Sequence, residues 1–197
     1  EATYEPHYIE TARELMQRVE DKFHSDNGTF HETASDGEEL LVRQISGYDG
    51  VEPAGNSNAA FALLRLSAYL ADPDLSKKAE KIFLNFNDEL MEYGLNSAFM
   101  LQALHLYLGG LKEVAVVGKR NDPTTQELLD TLRKGFYPNA VFAFAYEDEV
   151  ERAGKLIPLL KDRKGVNGKA TAYVCRQGTC LAPVHSAEDL VKLLSYE

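Results

Sequence analysis

The sequence predicts an α+β chain: a partial α/α toroid of helical hairpins, with a short β-hairpin, over residues 1–110, then a small α/β unit with a mixed sheet over residues 111–197. Three observations carry that expectation. The helical segments of the first half alternate between apolar on one face and apolar all round, which suits two concentric layers of helices. The texture changes at Gly110, where short buried strands replace long helices. The order strand, helix, strand, then hairpin and helix implies a parallel pair extended by antiparallel strands.

From Tyr8 the apolar positions Tyr8, Ala12, Leu15, Met16, Val19 and Phe23 recur at helical spacing on one face. Ser25-Asp26-Asn27-Gly28 ends that helix, with Gly28 suited to a left-handed cap. Thr29–Thr33 and Leu40–Gln44 read as extended runs of a hairpin joined by ASDGEE. Residues 47–70, GYDGVEPAGNSNAAFALLRLSAYL, organise the rest. Gly50, Pro53 and Gly55 hold a turn, Asn56 or Ser57 stands at the N-cap position, and the helix beyond has almost no polar face. After Asp72-Pro73-Asp74 the run Ser76–Met91 is again one-faced, and Leu95–Leu108 is apolar nearly all round. The helices near 57–70 and 95–108 should therefore be more buried than those near 8–24 and 76–91. A four-helix bundle with two hydrophobic helices in its middle is the competing reading.

In the second half Glu113–Gly118 and Ala140–Tyr146 read as buried strands. Between them Asp122 caps a helix with Pro123 in its first turn. Lys155–Gly168 reads as a loop with room for a helical turn, Ala170–Arg176 and Thr179–Val184 as a hairpin, and Ser186 as the cap of a last helix. This order resembles the thioredoxin topology, but no C-x-x-C follows the first strand and no proline precedes the third.

Composition narrows the function classes. The chain carries 31 acidic against 21 basic residues, a formal charge of −10. No Lys/Arg cluster interrupts it, so the basic footprint that nucleic acid or an anionic membrane requires is missing. No apolar run approaches the ~20 residues of a membrane span. Two cysteines are too few for a disulfide scaffold, which makes a cytoplasmic setting the expectation. Glu1 is not an initiator methionine, so the sequence is expected to be a piece of something longer. VVGKRND lacks both the dinucleotide and the Walker patterns, and the histidines are scattered. No cofactor and no metal are expected.

Two constellations carry chemistry. Glu32, Asp49 and Glu52 flank the glycine-rich loop, and paired carboxylates can perform general acid/base work on sugars. In so acidic a chain the other reading is that they are solvated. His31 is the one histidine near them. In Cys175-Arg-Gln-Gly-Thr-Cys180, a two-residue turn at Gln177-Gly178 puts Cys175 opposite Cys180 on one face. Three readings stay open there: two packed thiols, a cross-strand disulfide, or half of a metal site.

The run GTFHETASDGEELLVRQ…YDGVEPAGNSNAAFALLRL, then EVAVVG, then GKATAYVCRQGTCLAPV, resembles the C-terminal region of a family of thioredoxin-domain-containing proteins, which includes a spermatogenesis-associated thioredoxin-like protein. The resemblance implies a thioredoxin-like domain followed by an α/α toroid like those of N-acylglucosamine 2-epimerase and the six-hairpin glycosidases. The family's GGFFDTA becomes GTFHETA, so Glu32 replaces an aspartate and His31 a phenylalanine. Its LIVRPK becomes LLVRQI, keeping Arg43, and its DGAEPSGNS becomes DGVEPAGNS, keeping Asp49, Glu52, Gly55, Asn56 and Ser57. Both cysteines of its VCRNFTC-like tail are retained.

These residues lead to the expectation of a fragment of a longer protein whose toroid binds a carbohydrate-like ligand. Glu32 and Glu52 are the candidate catalytic groups, with Arg43, Asp49, Asn56 and Ser57 as candidate ligand-binding residues. Asn56 is expected to be structural and Glu52 to face a cavity shared with Arg43 or Glu32. The alternatives are a redox or interaction module built on Cys175 and Cys180, or a structural cap of the toroid. The partners expected are the rest of the full-length chain and a second copy covering apolar flanks.

Overall fold

Local sequence decides most element boundaries. In the computed structural model, which describes residues 2–176 and 178–195, the helices are α1 His7–Phe23, α2 Gly55–Leu70, α3 Pro73–Asn85, α4 Asn87–Tyr93, α5 Ala98–Gly109, α6 Pro123–Lys134, α7 Val150–Leu156 and α8 Ala187–Ser195. The strands are β1 Lys112–Gly118, β2 Ala140–Tyr146, β3 Thr171–Arg176 and β4 Thr179–Cys180. Gln177, half of the expected hairpin turn, lies outside the described residues. Helices and a mixed four-stranded sheet together make the α+β class the sequence predicts. Two compact units are distinguished. One, helical, comprises Glu10–Ser67 and Asp72–Gly109. The other contains the sheet and comprises the chain up to Ile9, Ala68–Ala71 and the residues from Gly110 onward.

In the helical unit α2 is the buried element, with Ala59, Ala60, Leu63, Leu64 and Leu66 in the core. Only Met16 of α1 is buried. Residues 95–108 are more buried than α1, as expected, but not more buried than residues 76–91. A 3₁₀ turn occupies Gly94–Ser97, and α5 buries only Met100, Ala103 and Leu106, no more than the Ala79, Ile82 and Phe83 of α3. All-round apolarity shows that a helix needs cover, not that this stretch of chain supplies it. The one-faced run 76–91 is likewise two helices, α3 and α4, interrupted at Phe86.

The expected hairpin over 29–44 is a correction as well. Among the described residues these runs form no strands. A bridge between His24 and Phe30 and a bond from Glu32 N to Gln44 O (2.9 Å) tie the segment down instead. Nor are Gly50 and Gly55 the glycines this loop needs, since neither has a left-handed backbone. Gly47 is: a Cβ there would stand 2.7 Å from the Phe86 ring.

In the sheet unit the strand order is β2-β1-β3-β4. β1 and β2 are parallel, Lys112 opposite Ala140 through Gly118 opposite Tyr146, joined by α6 as the crossover. Asp122 caps α6 by accepting from Thr124 N (3.1 Å), with Pro123 in the first turn. β3 runs antiparallel to β1, and its side chains alternate between faces. Val114, Val116, Ala172 and Val174 meet Leu128 and Leu132 of α6 and Leu190 of α8 on one face. Ala115, Val141 and Ala143 meet Ala153, Ile157 and Leu160 on the other. Tyr69 at the end of α2 donates its hydroxyl to Phe142 O (3.0 Å), giving the edge strand β2 a partner. Helix α7 has no counterpart in the sequence reading, because seven residues give too little periodicity to recognise.

Candidate functional site

The helical unit contains an open cavity of about 700 Å³, within the range of small-molecule sites. Its apolar wall is α1, whose Ala12, Leu15, Met16, Val19 and Phe23 fall at spacings of three and four and so share one face. That stripe read as a core face, yet Leu15 is 54% exposed, because the face borders the cavity. The first turns of α2 and the loop before it supply Glu52, Pro53, Ala54, Asn56 and Asn58. The segment after α1 supplies Phe30, His31 and Glu32, and Tyr48 completes the rim.

The polar scaffold is built around Asn56 and Arg43. Asn56 is buried (1% exposed), accepts from Phe30 N (2.8 Å) and donates to Phe30 O and Ser46 O (2.9 Å each). One carboxamide thus serves two backbone segments as a strand neighbour would, and it is not the N-cap of α2, which begins at Gly55. Arg43 donates to the carbonyls of Lys22 and Thr33, fixing the loop that carries His31 and Glu32. Arg43 does not line the cavity. His31 Nδ1 donates to Arg43 O (3.0 Å), since a carbonyl only accepts.

The remaining predicted residues divide as follows. Glu32 and Glu52 both line the cavity, and both are exposed. Asp49 does not. Its Oδ1 accepts from Ala54 N (2.8 Å), and its Oδ2 accepts from Phe99 N (2.7 Å) and Met100 N (3.1 Å) at the start of α5. Ser57 is buried with no hydrogen bond at Oγ and is not part of the cavity wall. Tyr48, Asn58 and the α1 wall are not among the residues the sequence singles out, and His31 stands there only as the histidine near the carboxylates. Asn56 and Arg43 fix the segment that carries His31 through backbone groups remote in sequence, which no spacing reveals. Among the described residues no three His, Cys, Asp or Glu side chains gather as a metal ion requires.

Cys175 and Cys180 face one another across β3 and β4, with Arg176 opposite Thr179, and are joined by a disulfide. Of the three readings of this pair, the cross-strand disulfide is the one present in the structure. Glu113 stands opposite Cys175 on β1 and is half-buried. Burial pushes its carboxyl above the ordinary glutamate value, with Arg163 pulling weakly the other way. A raised native value means that the folded state holds this proton more tightly than the unfolded chain. The stabilisation is therefore fully present below the unfolded value and is lost as pH rises through the native one. Comparing urea denaturation of the wild type and Glu113→Gln across that window should show the decline in the wild type and its absence in the variant.

No protein-family model matches this sequence. The chain is 29% identical over 197 residues to Spermatogenesis-associated protein 20 of Homo sapiens and 28% identical to the Rattus norvegicus protein of that name, in each case covering 98% of this chain and 25% of the relative. An uncharacterised Caenorhabditis elegans protein is 27% identical over 189 residues, again with 25% of its length covered. No helix among the described residues is long and apolar enough to cross a membrane. The chain is thus related to a family of longer proteins that includes spermatogenesis-associated protein 20, and it spans about a quarter of their length.

Proposed function

We propose that this chain is the C-terminal region of a thioredoxin-domain-containing protein and contributes part of an α/α toroid whose cavity binds a carbohydrate-like ligand. The observation that carries this reading is the gathering of Glu32, Glu52 and His31 opposite the apolar face of α1 in a space of about 700 Å³. A sugar presents hydroxyl donors around its edge and C–H groups on its faces. Carboxylates accept the former, while Leu15, Val19 and Tyr48 cover the latter. Glu32 and Glu52 are the groups available for proton transfer, with Asn56, Arg43 and Asp49 holding the loops that present them. Leu41, Val51 and Leu95 are almost wholly exposed, and the rest of the full-length chain or a second copy would cover them.

The test is a panel of free hexoses and N-acetylhexosamines titrated against the full-length protein by calorimetry. Glu32→Gln and Glu52→Gln should each weaken binding at least tenfold, the equivalent of about 1.4 kcal/mol, because a charge-assisted bond to a ligand hydroxyl becomes a neutral one. Both residues are exposed, so stability should move by less than about 0.5 kcal/mol. Absence of binding across the panel, or unchanged affinity in both variants, overturns the reading.

A further inference from the structure

We propose that the Cys175–Cys180 disulfide is a thiol-exchange site in which an external thiolate enters at Cys180 and Arg163 receives the thiolate that leaves at Cys175. This inference is independent of the cavity in the helical unit. It rests on an asymmetry and on one misplaced-looking cation. Cys175 is 2% exposed, whereas Cys180 is exposed, so a thiolate from solvent reaches the sulfur of Cys180 first.

Arg163 Nη2 lies 3.4 Å from Cys175 Sγ and 3.3 Å from Cys180 Sγ. Its guanidinium lies over the Tyr173 ring at 4.8 Å, and its Nε is buried without a hydrogen-bond partner among the described residues. A disulfide sulfur is a weak acceptor, so this permanently charged group is poorly matched to the oxidised pair. A thiolate at the same place would accept a charge-assisted bond from it. The cation therefore fits the reduced pair better than the oxidised one. Glu113, opposite Cys175, is the carboxyl that would repel such a thiolate, and its burial favours the neutral form. Glutathione, a soluble thiol, is the probe for the external thiolate.

The steps balance. A glutathione thiolate attacks Cys180 Sγ, the Cys175–Cys180 bond breaks, and its electron pair leaves on Cys175 Sγ. Cys180 is then in mixed disulfide with glutathione. A second glutathione thiolate attacks the glutathione sulfur of that adduct and releases Cys180. Two glutathione thiols have become glutathione disulfide, their two protons are taken up by the two cysteines, and the protein pair has been reduced by two electrons.

The experiment equilibrates the full-length protein in glutathione redox buffers, quenches in acid and reads Cys175 and Cys180 separately by differential alkylation and peptide mass spectrometry. The expected result is a pair that follows the buffer, with the transient glutathione adduct on Cys180. Reduction of Arg163→Met should be about tenfold slower, because the leaving thiol is no longer acidified by a neighbouring cation. Arg163→Lys, which keeps the charge, should recover most of the rate. In the reduced wild type the pH midpoint for alkylation of Cys180 should fall below the ordinary thiol value of about 8.5. A pair that stays oxidised in every buffer, an adduct on Cys175, or an unchanged rate in Arg163→Met overturns the proposal. Should Arg163→Met not fold, the adduct position and the wild-type midpoint decide the matter alone.

Discussion

Asn56→Ala is expected to cost about 3–4 kcal/mol of stability and to lower the melting temperature by roughly 10 °C. The side chain is fully buried and makes three hydrogen bonds, two to Phe30 and one to Ser46. Truncation leaves the Phe30 N–H, the Phe30 carbonyl and the Ser46 carbonyl short of a partner, and each such loss costs about 1 kcal/mol or more. An ordinary helix cap would lose only about 1 kcal/mol on the same change. The comparison with Glu52→Gln, four residues earlier and exposed, is the internal control. If the two variants melt together, the bridge between Phe30 and Ser46 does not stabilise the unit.

Asp49→Ala should be the next most damaging change, at about 2–3 kcal/mol. Its carboxylate closes the loop onto Ala54 N and accepts from the first free N–H groups of α5, at Phe99 and Met100. Hydrogen bonds to a charged group are worth more than neutral ones, and the negative charge stands at the positive end of a helix dipole. Asp49→Asn keeps one acceptor oxygen but sets an N–H₂ group against backbone donors, so it should recover only part of the loss. Urea denaturation of the three proteins measures the ranking, and hydrogen exchange at Phe99 and Met100 localises it. Equal stability of Asp49→Ala and wild type would mean that water caps α5 as well as the carboxylate does.

Both residues show where sequence reasoning stops. Both stand out as loop residues beside a glycine-rich turn; Asn56 is expected to be structural, while the polarity of Asp49 suggests a ligand. Their partners are 26 and about 50 positions away in sequence, at Phe30 and at Phe99 and Met100. No local pattern tells a side chain aimed at a ligand from one aimed at a distant backbone. Arg43 poses the same problem, since its guanidinium closes on Lys22 and Thr33 carbonyls.

By itself the sequence determined the features that depend on near neighbours. The period of apolar residues placed α1, the glycine-rich loop running into an unbroken apolar stretch placed α2, the Asp122-Pro123 pair started α6, and the strand–helix–strand order placed β1 parallel to β2. The two-residue spacing between Arg176 and Thr179 set Cys175 opposite Cys180. Tertiary structure decided the rest: that the apolar face of α1 borders a cavity, that α5 is less covered than its composition suggests, and that Arg163 lies against both sulfurs. The physical reason is range. Helix and strand periodicity, caps and turns act within a few residues along the chain. Whether a face meets a core or a cavity, and which buried polar group meets which, depends on the path of segments that are remote in sequence.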